Sequence, residues 1–332
     1  MMYFQKKPKF IHNLWTPYDD DPLHIQLRTS KGYFEVDKID AALFLKIRSL
    51  CTGNRTQEEI AVLTKIPIAK VNEIIDSLAS IGTIRQEEDI QLISDNDFRN
   101  KLLIACEMWG EQLAETNLFL EILSGNHPVN VFKGFLLETY HYIKDFPEIL
   151  HCAAEKAIDS NLKEEIFNYY LQELGHESFI MLDLMKLGFS EKEVENSVPL
   201  VSTQTIIWLM KDLFERFPFT VFLVAKVIEA DDFDENLGDE IRDSIQTNLQ
   251  VDRSTLDGLI EHMKVDYSLG HSQLLEKNLQ YIIFEEKEAI HFVINRIHDI
   301  KHAFDLQKLE IIQYYTQEGN YIPRQRVDYF GV

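Results

Sequence analysis

Apolar side chains recur at helical spacing through residues 161–188, NLKEEIFNYYLQELGHESFIMLDLMKLG. Ile166, Tyr169, Tyr170, Leu174, Ile180, Met181 and Leu184 fall on one period, and Gly188 stands where a helix would stop. The spacing predicts a single helix over 161–187. The same amphipathic or wholly apolar pattern covers 96–124, 129–157, 203–231, 236–249, 253–282 and 284–317, with turns marked by Gly125, Pro147, Gly188, Pro199 and Asp252. No internal repeat is evident. Helices of this length with short connections predict an antiparallel bundle over residues 95–332.

The pattern before residue 95 is different. Residues 1–21 mix aromatics, prolines and an acidic run without a clear period, and read as an arm. From 22 to 93 the alternation in LHIQLRT and GYFEV predicts short strands, and DKIDAALFLKIRSLC an amphipathic helix. TQEEIAVLTK opens on a capping box, Thr56 with Glu59, and IAKVNEIIDSLASIG stops at Gly82. TIRQEEDIQLI would close the unit as wing strands. Strand, helix, helix-turn-helix and wing is a winged-helix order, so a small α+β winged-helix-like domain is expected ahead of an all-α domain.

Composition narrows what such a chain does. With 332 residues, 45% of them hydrophobic, it can bury a sizeable core. Its formal charge of -22 repels phosphate backbones and anionic lipid surfaces. The second helix of the helix-turn-helix offers Lys70 but also Glu73 and Asp76, with Asn72 alone suited to a base edge, so the expectation is no nucleic acid and a protein or peptide partner at 22–93. Cys51, Cys106 and Cys152 are too few and too scattered for a disulfide framework. MMYFQKKPKFIHNLW lacks the apolar core of a signal peptide, and no later run reaches the roughly 18 apolar residues of a membrane span. A soluble cytoplasmic protein without membrane attachment is therefore expected.

Carboxylates on otherwise apolar helix faces are informative, because burial of an unpaired charge is costly. Glu138 follows Phe135, Leu136 and Leu137, with His141 three residues later; Glu173 and His176 lie three apart; Glu229 ends an apolar run; His262 and Asp266 lie four apart, with His271 beyond. Glu138, Glu173, His176, Glu229, His262 and Asp266 are four carboxylates and two imidazoles from four helices, the inventory of a di-iron carboxylate site. Oxygen and imidazole donors in that mix suit iron or manganese better than structural zinc.

The runs LLETYHYIKDFPEIL, QELGHESFIMLDLMKLGFS, FPFTVFLVAKVIEA and EHMKVDYSLGH resemble the haem-oxygenase-like helical fold shared by PqqC, the TenA thiaminases and the non-haem di-iron oxidases and oxygenases. In the di-iron branch the resemblance places metal ligands at Glu138, Glu173, His176, Glu229, His262 and Asp266, with Glu173 and His176 carrying catalysis. It implies two Fe(II) ions, dioxygen as co-substrate, and an amino-acid-like, acyl or peptide-borne substrate. Homodimers are common in the fold, and one is expected here. Many members of that branch read HxxxDxxH, whereas Leu269 stands at the second histidine position and His271 comes two residues late. Either a π-bulge returns His271 to the metal or the second iron is held with fewer nitrogens, and His141 is a further candidate. The metal-free PqqC-like oxidases and a non-enzymatic ligand-binding adaptor are the alternatives, and residues 22–93 are also similar to the small PqqD-like peptide-binding modules.

Overall fold

Alternation in LHIQLRT does what a half-buried strand requires, leaving His24 and Gln26 half-buried on one face while Ile25 and Leu27 are buried on the other. The computed structural model describes residues 7–10, 15–18, 21–29, 31–85, 95–229, 235–284, 286–328 and 330–331. It divides into two units, Met1–Phe98 and Arg99–Val332.

In the first unit β1 (Lys9–Phe10), β2 (Trp15–Tyr18), β3 (Asp21–Thr29) and β4 (Gly32–Val36) precede α1 (Lys38–Arg48), α2 (Gln57–Thr64), α3 (Ile68–Ser80) and β5 (Ile84–Arg85). Strands β2, β3 and β4 form an antiparallel meander, and β1 pairs antiparallel with β5. Ile25 and Leu27 of the sheet share one core with Phe44, Ile47, Ile60, Val71, Ile75 and Leu78 of the helices. The capping box is formed in both directions, Glu59 N–H donating to Thr56 Oγ1 at 3.3 Å and Thr56 N–H to Glu59 Oε2 at 2.8 Å.

Two expectations change here. The segment read as an arm contributes β1 and β2, strands too short to show a period and defined by their pairing instead. The closing segment contributes β5, which pairs with β1, while the rest of the expected wing, 86–93, lies outside the described residues. On α3, Lys70 Nζ is held by Asp40 at 3.1 Å and Glu73 at 2.9 Å, and the amide oxygen of Asn72 is buried.

The second unit is helical: α4 (Asp95–Glu115, entering from the first), α5 (Leu118–Leu123), α6 (Val129–Lys156), α7 (Ser160–Glu173), α8 (Glu177–Lys186), α9 (Glu191–Glu195), α10 (Val201–Arg216), α11 (Thr220–Ile228), α12 (Glu235–Leu249), α13 (Asp257–Leu269), α14 (Leu274–Lys277) and α15 (Lys287–Thr316). Helix α6 is central and packs against α7, α8, α10 and α15. Its Phe132, Leu136, Leu137 and Ile143 join Ile180, Leu184, Leu259 and Ile311 in the core. Pro147, expected at a turn, lies inside α6; buried Phe146, Ile149 and Leu150 flank it and hold the helix through the missing N–H. No helix among the described residues is long and apolar enough to cross a membrane.

The long helices read from periodicity are interrupted. Asn117 caps α5 after α4 ends, Leu174 and Gly175 separate α7 from α8, Phe217-Pro218 separates α10 from α11, and Gly270 ends α13. Apolar period is indifferent to such breaks, because the same face continues to be buried on either side of them.

Candidate metal centre

The break between α7 and α8 builds half of the centre. Leu174 leaves helical geometry with ψ 122°, and Gly175 takes φ +88°, a conformation that strains any residue with a Cβ. The helix is broken there, and Glu173, the last residue of α7, and His176, at the entrance of α8, face each other. The predicted continuous helix would have paired them by a three-residue step; the break pairs them instead, with His176 Nδ1 at 3.3 Å from Glu173 Oε2.

A second break supplies another donor. Helix α13 ends at Leu269, and Gly270, at φ +72°, donates its N–H to the carbonyls of Asp266 and Tyr267. His271 then starts a 3-10 turn, 1% exposed, with Nδ1 3.1 Å from Glu173 Oε1 and 3.7 Å from Asp266 Oδ1. A left-handed cap, rather than the expected π-bulge, compensates for the two-residue delay. The tripeptide Leu-Gly-His occurs at both breaks, 174–176 and 269–271, and in each the glycine has positive φ and the histidine turns inward.

Helix α13 itself presents His262 and Asp266 on one face, His262 Nδ1 2.9 Å from Asp266 Oδ2, and Asp266 Oδ1 lies 3.3 Å from His176 Nδ1. The helix is clamped onto α8 by Asp183, fully buried, which accepts from the N–H groups of Gly258 at 2.8 Å and Leu259 at 2.7 Å. A Cβ at Gly258 would stand 2.0 Å from the carbonyl oxygen of Phe179, so only glycine permits that approach. Glu229 follows the last turn of α11, where the backbone has become extended, and Tyr169 O–H donates to its Oε1 at 2.8 Å.

Donor atoms fall into two groups, each with its atoms within 4.8 Å of one another: His176, His262 and Asp266, and Glu173, Glu229 and His271. Two nitrogens and one carboxylate form the first; one nitrogen and two carboxylates form the second. Glu173 spans them, one oxygen toward His176 and the other toward His271.

Among the described residues, Glu173 Oε1, His176 Nδ1, His262 Nε2, Asp266 Oδ1 and His271 Nδ1 are buried without a hydrogen-bond partner. They stand close together but out of hydrogen-bonding geometry, as ligand atoms aimed at common points do. Buried polar atoms are rarely left so, and five in one cluster call for a cation. His271 is oriented from behind, its Nε2 3.2 Å from Gln172 Oε1, which leaves the Nδ1 lone pair facing the cluster.

Protons carry the positive charge that the cluster needs. Burial opposes a charged His176, yet contacts with Asp266 and Glu173 overrule it and push its pKa up to about 10. Burial would raise Asp266, but His176 and His262 hold it down at about 2. Burial, with the charges of Glu173 and Asp266, pushes Glu229 well above the carboxylate range, and burial lowers His271. Such a site exchanges protons for metal. The donor set, the partnerless atoms and the charge balance all fit two divalent cations of the iron or manganese type.

Glu138 and His141 are not in either group. Glu138, 1% exposed, accepts from Leu200 N–H at 2.9 Å, Thr203 O–H at 2.5 Å and Tyr315 O–H at 2.9 Å, and its oxygens are thereby taken. His141 Nε2 lies 2.8 Å from Ser197 Oγ, and burial lowers its pKa to about 4. The structure thus brings together five of the six residues expected from sequence, with His271 beside them and Glu138 apart. Glu138 stood on an apolar face, as a buried ligand would; its partners on α10 and α15 are distant in sequence and left no local signal.

A cavity of about 560 Å³ opens onto Glu173, Glu229, His262 and Asp266, with Phe135, Tyr142, Phe146 and Phe304 among its walls. No cysteine lines it among the described residues, and the fully buried Cys106 thiol is pushed up by desolvation, the opposite of an activated nucleophile.

The sequence model of the TENA/THI-4/PQQC family matches residues 105–244. No curated protein matches the sequence. Among solved structures, a domain of unknown function with a heme oxygenase-like fold from Shewanella denitrificans OS217 superimposes with a TM-score of 0.51 at 19% identity, covering 71% of this chain and 100% of that one. The chain therefore has the haem oxygenase-like fold, and the stretch that matches the TENA/THI-4/PQQC model, 105–244, includes Glu173, His176 and Glu229.

Proposed function

We propose that the protein is a non-haem di-iron, dioxygen-dependent oxidase or oxygenase acting on a small, largely apolar organic substrate. The observation that carries this reading is the pair of donor groups, with five buried partnerless atoms directed between them. Glu173, Glu229 and His271 would hold one ion and His176, His262 and Asp266 the other, with Glu173 as the bridge. Bound iron would supply the site for dioxygen and the electrons that reduce it.

The chain's own residues do the rest. Tyr169 fixes the carboxylate of Glu229, Gln172 fixes the tautomer of His271, and Asp183 sets α13, with His262 and Asp266, against α8, with His176. Phe135, Phe146 and Phe304 wall the cavity and exclude water beside the cluster, so a substrate lying there meets an apolar surface on one side and the metal ligands on the other.

The test is iron stoichiometry after anaerobic loading with ferrous iron, on the intact protein and on Glu173→Ala, followed by oxygen uptake. Close to two irons per chain, reduced in the variant, with oxygen consumed only by the intact protein, is the expected result. No iron above background in either protein would sink the reading.

A further inference from the structure

In the wall of the cavity a sixth buried polar atom lacks a partner among the described residues: the hydroxyl of Tyr142. Metal ions would satisfy the five donor atoms of the ligand set. They would leave this hydroxyl unsatisfied, because a phenol O–H needs an acceptor and a cation is none. Its neighbour Tyr169 shows how a phenol in the same surroundings is ordinarily settled, by donating to Glu229 at 2.8 Å.

Tyr142 is not loose. Its ring stacks on Phe146 at 5.7 Å and meets the edge of Phe304 at 5.7 Å, while Phe146 packs in turn against Tyr169 at 5.9 Å. The ring forms part of the cavity wall that Glu173, Glu229, His262 and Asp266 complete. A donor locked at the junction of cavity and cluster, without an acceptor from the chain, is arranged for an acceptor that arrives from outside.

We propose that Tyr142 donates a hydrogen bond to the exogenous ligand that enters through the cavity and binds at the metal cluster, a small anion or the anionic oxygen or nitrogen end of a substrate. The inference rests on the di-iron reading of the site. It makes Tyr142 a binding residue that orients the incoming group without holding a metal.

Azide, a small anion that binds open metal positions, is the probe. The intact protein and Tyr142→Phe are loaded with cobalt(II), metal content is measured, and azide is titrated while the visible spectrum is followed. Phenylalanine keeps the ring contacts, so both proteins should hold the same cobalt and melt alike, while azide binds the variant roughly tenfold more weakly. Equal azide affinity at equal cobalt content overturns the role of Tyr142 and leaves the metal reading intact. So does a weaker affinity accompanied by cobalt loss, which would mean a general disturbance of the centre. Absence of cobalt from both proteins overturns the metal reading, and this inference with it.

Discussion

Glu138 and Glu173 are both buried, at 1% and 4% exposure, both lie on helices of the same bundle, and both were expected to bind metal. Around Glu138 three donors converge, from the Leu200 backbone, Thr203 and Tyr315, and Gln307 Nε2 supports Thr203 at 2.8 Å. Around Glu173 stand the imidazoles of His176 at 3.3 Å and His271 at 3.1 Å, and Oε1 has no hydrogen-bond partner among the described residues. Burial therefore does not distinguish a ligand from a structural carboxylate. What distinguishes them is whether the protein has already satisfied the oxygens: Glu138 ties α6 to α10 and α15, while Glu173 is kept available.

The largest expected effect breaks this comparison most directly. Glu173→Ala removes the carboxylate that turns one oxygen to each donor group, and metal affinity measured by competition with a chelator should fall by at least about 100-fold, beyond the 10–100-fold typical of losing an orienting partner. Glu138→Gln should leave metal content unchanged. Loss of metal from Glu138→Gln on the scale seen for Glu173→Ala would show that the two carboxylates are not distinct.

What Glu138→Gln should change is stability, with a definite sign in pH. Burial raises the Glu138 carboxyl from the usual 4.5 to about 7, with the three donors opposing. A folded-state pKa above the unfolded one stabilises the fold fully below pH 4.5, and that contribution is lost as pH rises through about 7. Over that window the change is roughly 2–3 kcal/mol. Urea unfolding of the metal-free protein at pH 5 and pH 8 should show the wild-type advantage over Glu138→Gln shrinking by about this amount. An advantage that grows with pH would mean that the three donors, and not burial, govern Glu138.

The same pair shows how far the sequence could be read. Helical periodicity locates the bundle because burial of one face is a property of local spacing, and it brought Glu173, His176, Glu229, His262 and Asp266 into one candidate set. It could not separate Glu138 from them, since Thr203 and Tyr315 lie 65 and 177 residues away along the chain. Nor could it find the helix breaks, because a bundle core buries the same face across an interruption. Yet one local signal was present: Leu-Gly-His stands at 174–176 and again at 269–271, inside runs that otherwise favour helix. A glycine followed by histidine twice, within apolar periods, marks two places where the chain turns to deliver an imidazole. Gln172, Asp183 and the donor role of Tyr169 had no such mark, since each acts on a partner fixed only by the fold.

Within the cluster the comparison sharpens from ligand to orienting partner. Gln172→Leu keeps the volume near His271 but removes the acceptor of its Nε2–H, so the ring loses the bond that points Nδ1 inward. Affinity for the second of two metal ions should fall by roughly 10–100-fold while the first binds as before, because His271 belongs to the group formed with Glu173 and Glu229. Stepwise titration with a metal-sensitive dye resolves the two ions, and an equal loss in both would contradict the separate assignment of the groups.

The smallest effect tests the turn rather than the ligand. Gly270 at φ +72° and ψ 39° lies in the left-handed region, and an added Cβ would approach Lys277 Nζ at 3.3 Å and Gln273 Oε1 at 3.9 Å, the far ends of flexible side chains. Gly270→Ala is thus limited by backbone strain and not by space, at a cost of about 1 kcal/mol. Asparagine tolerates this conformation better than alanine, so Gly270→Asn should melt between the wild type and Gly270→Ala. If the αL turn is what swings His271 inward, second-metal affinity should follow the same order as the melting temperatures, because any relaxation of the strain moves His271 Nδ1 away from Glu173. Equal second-metal affinity in all three proteins, with the melting order intact, would mean that the 3-10 turn beginning at His271 holds the imidazole on its own, and that the glycine only ends the helix.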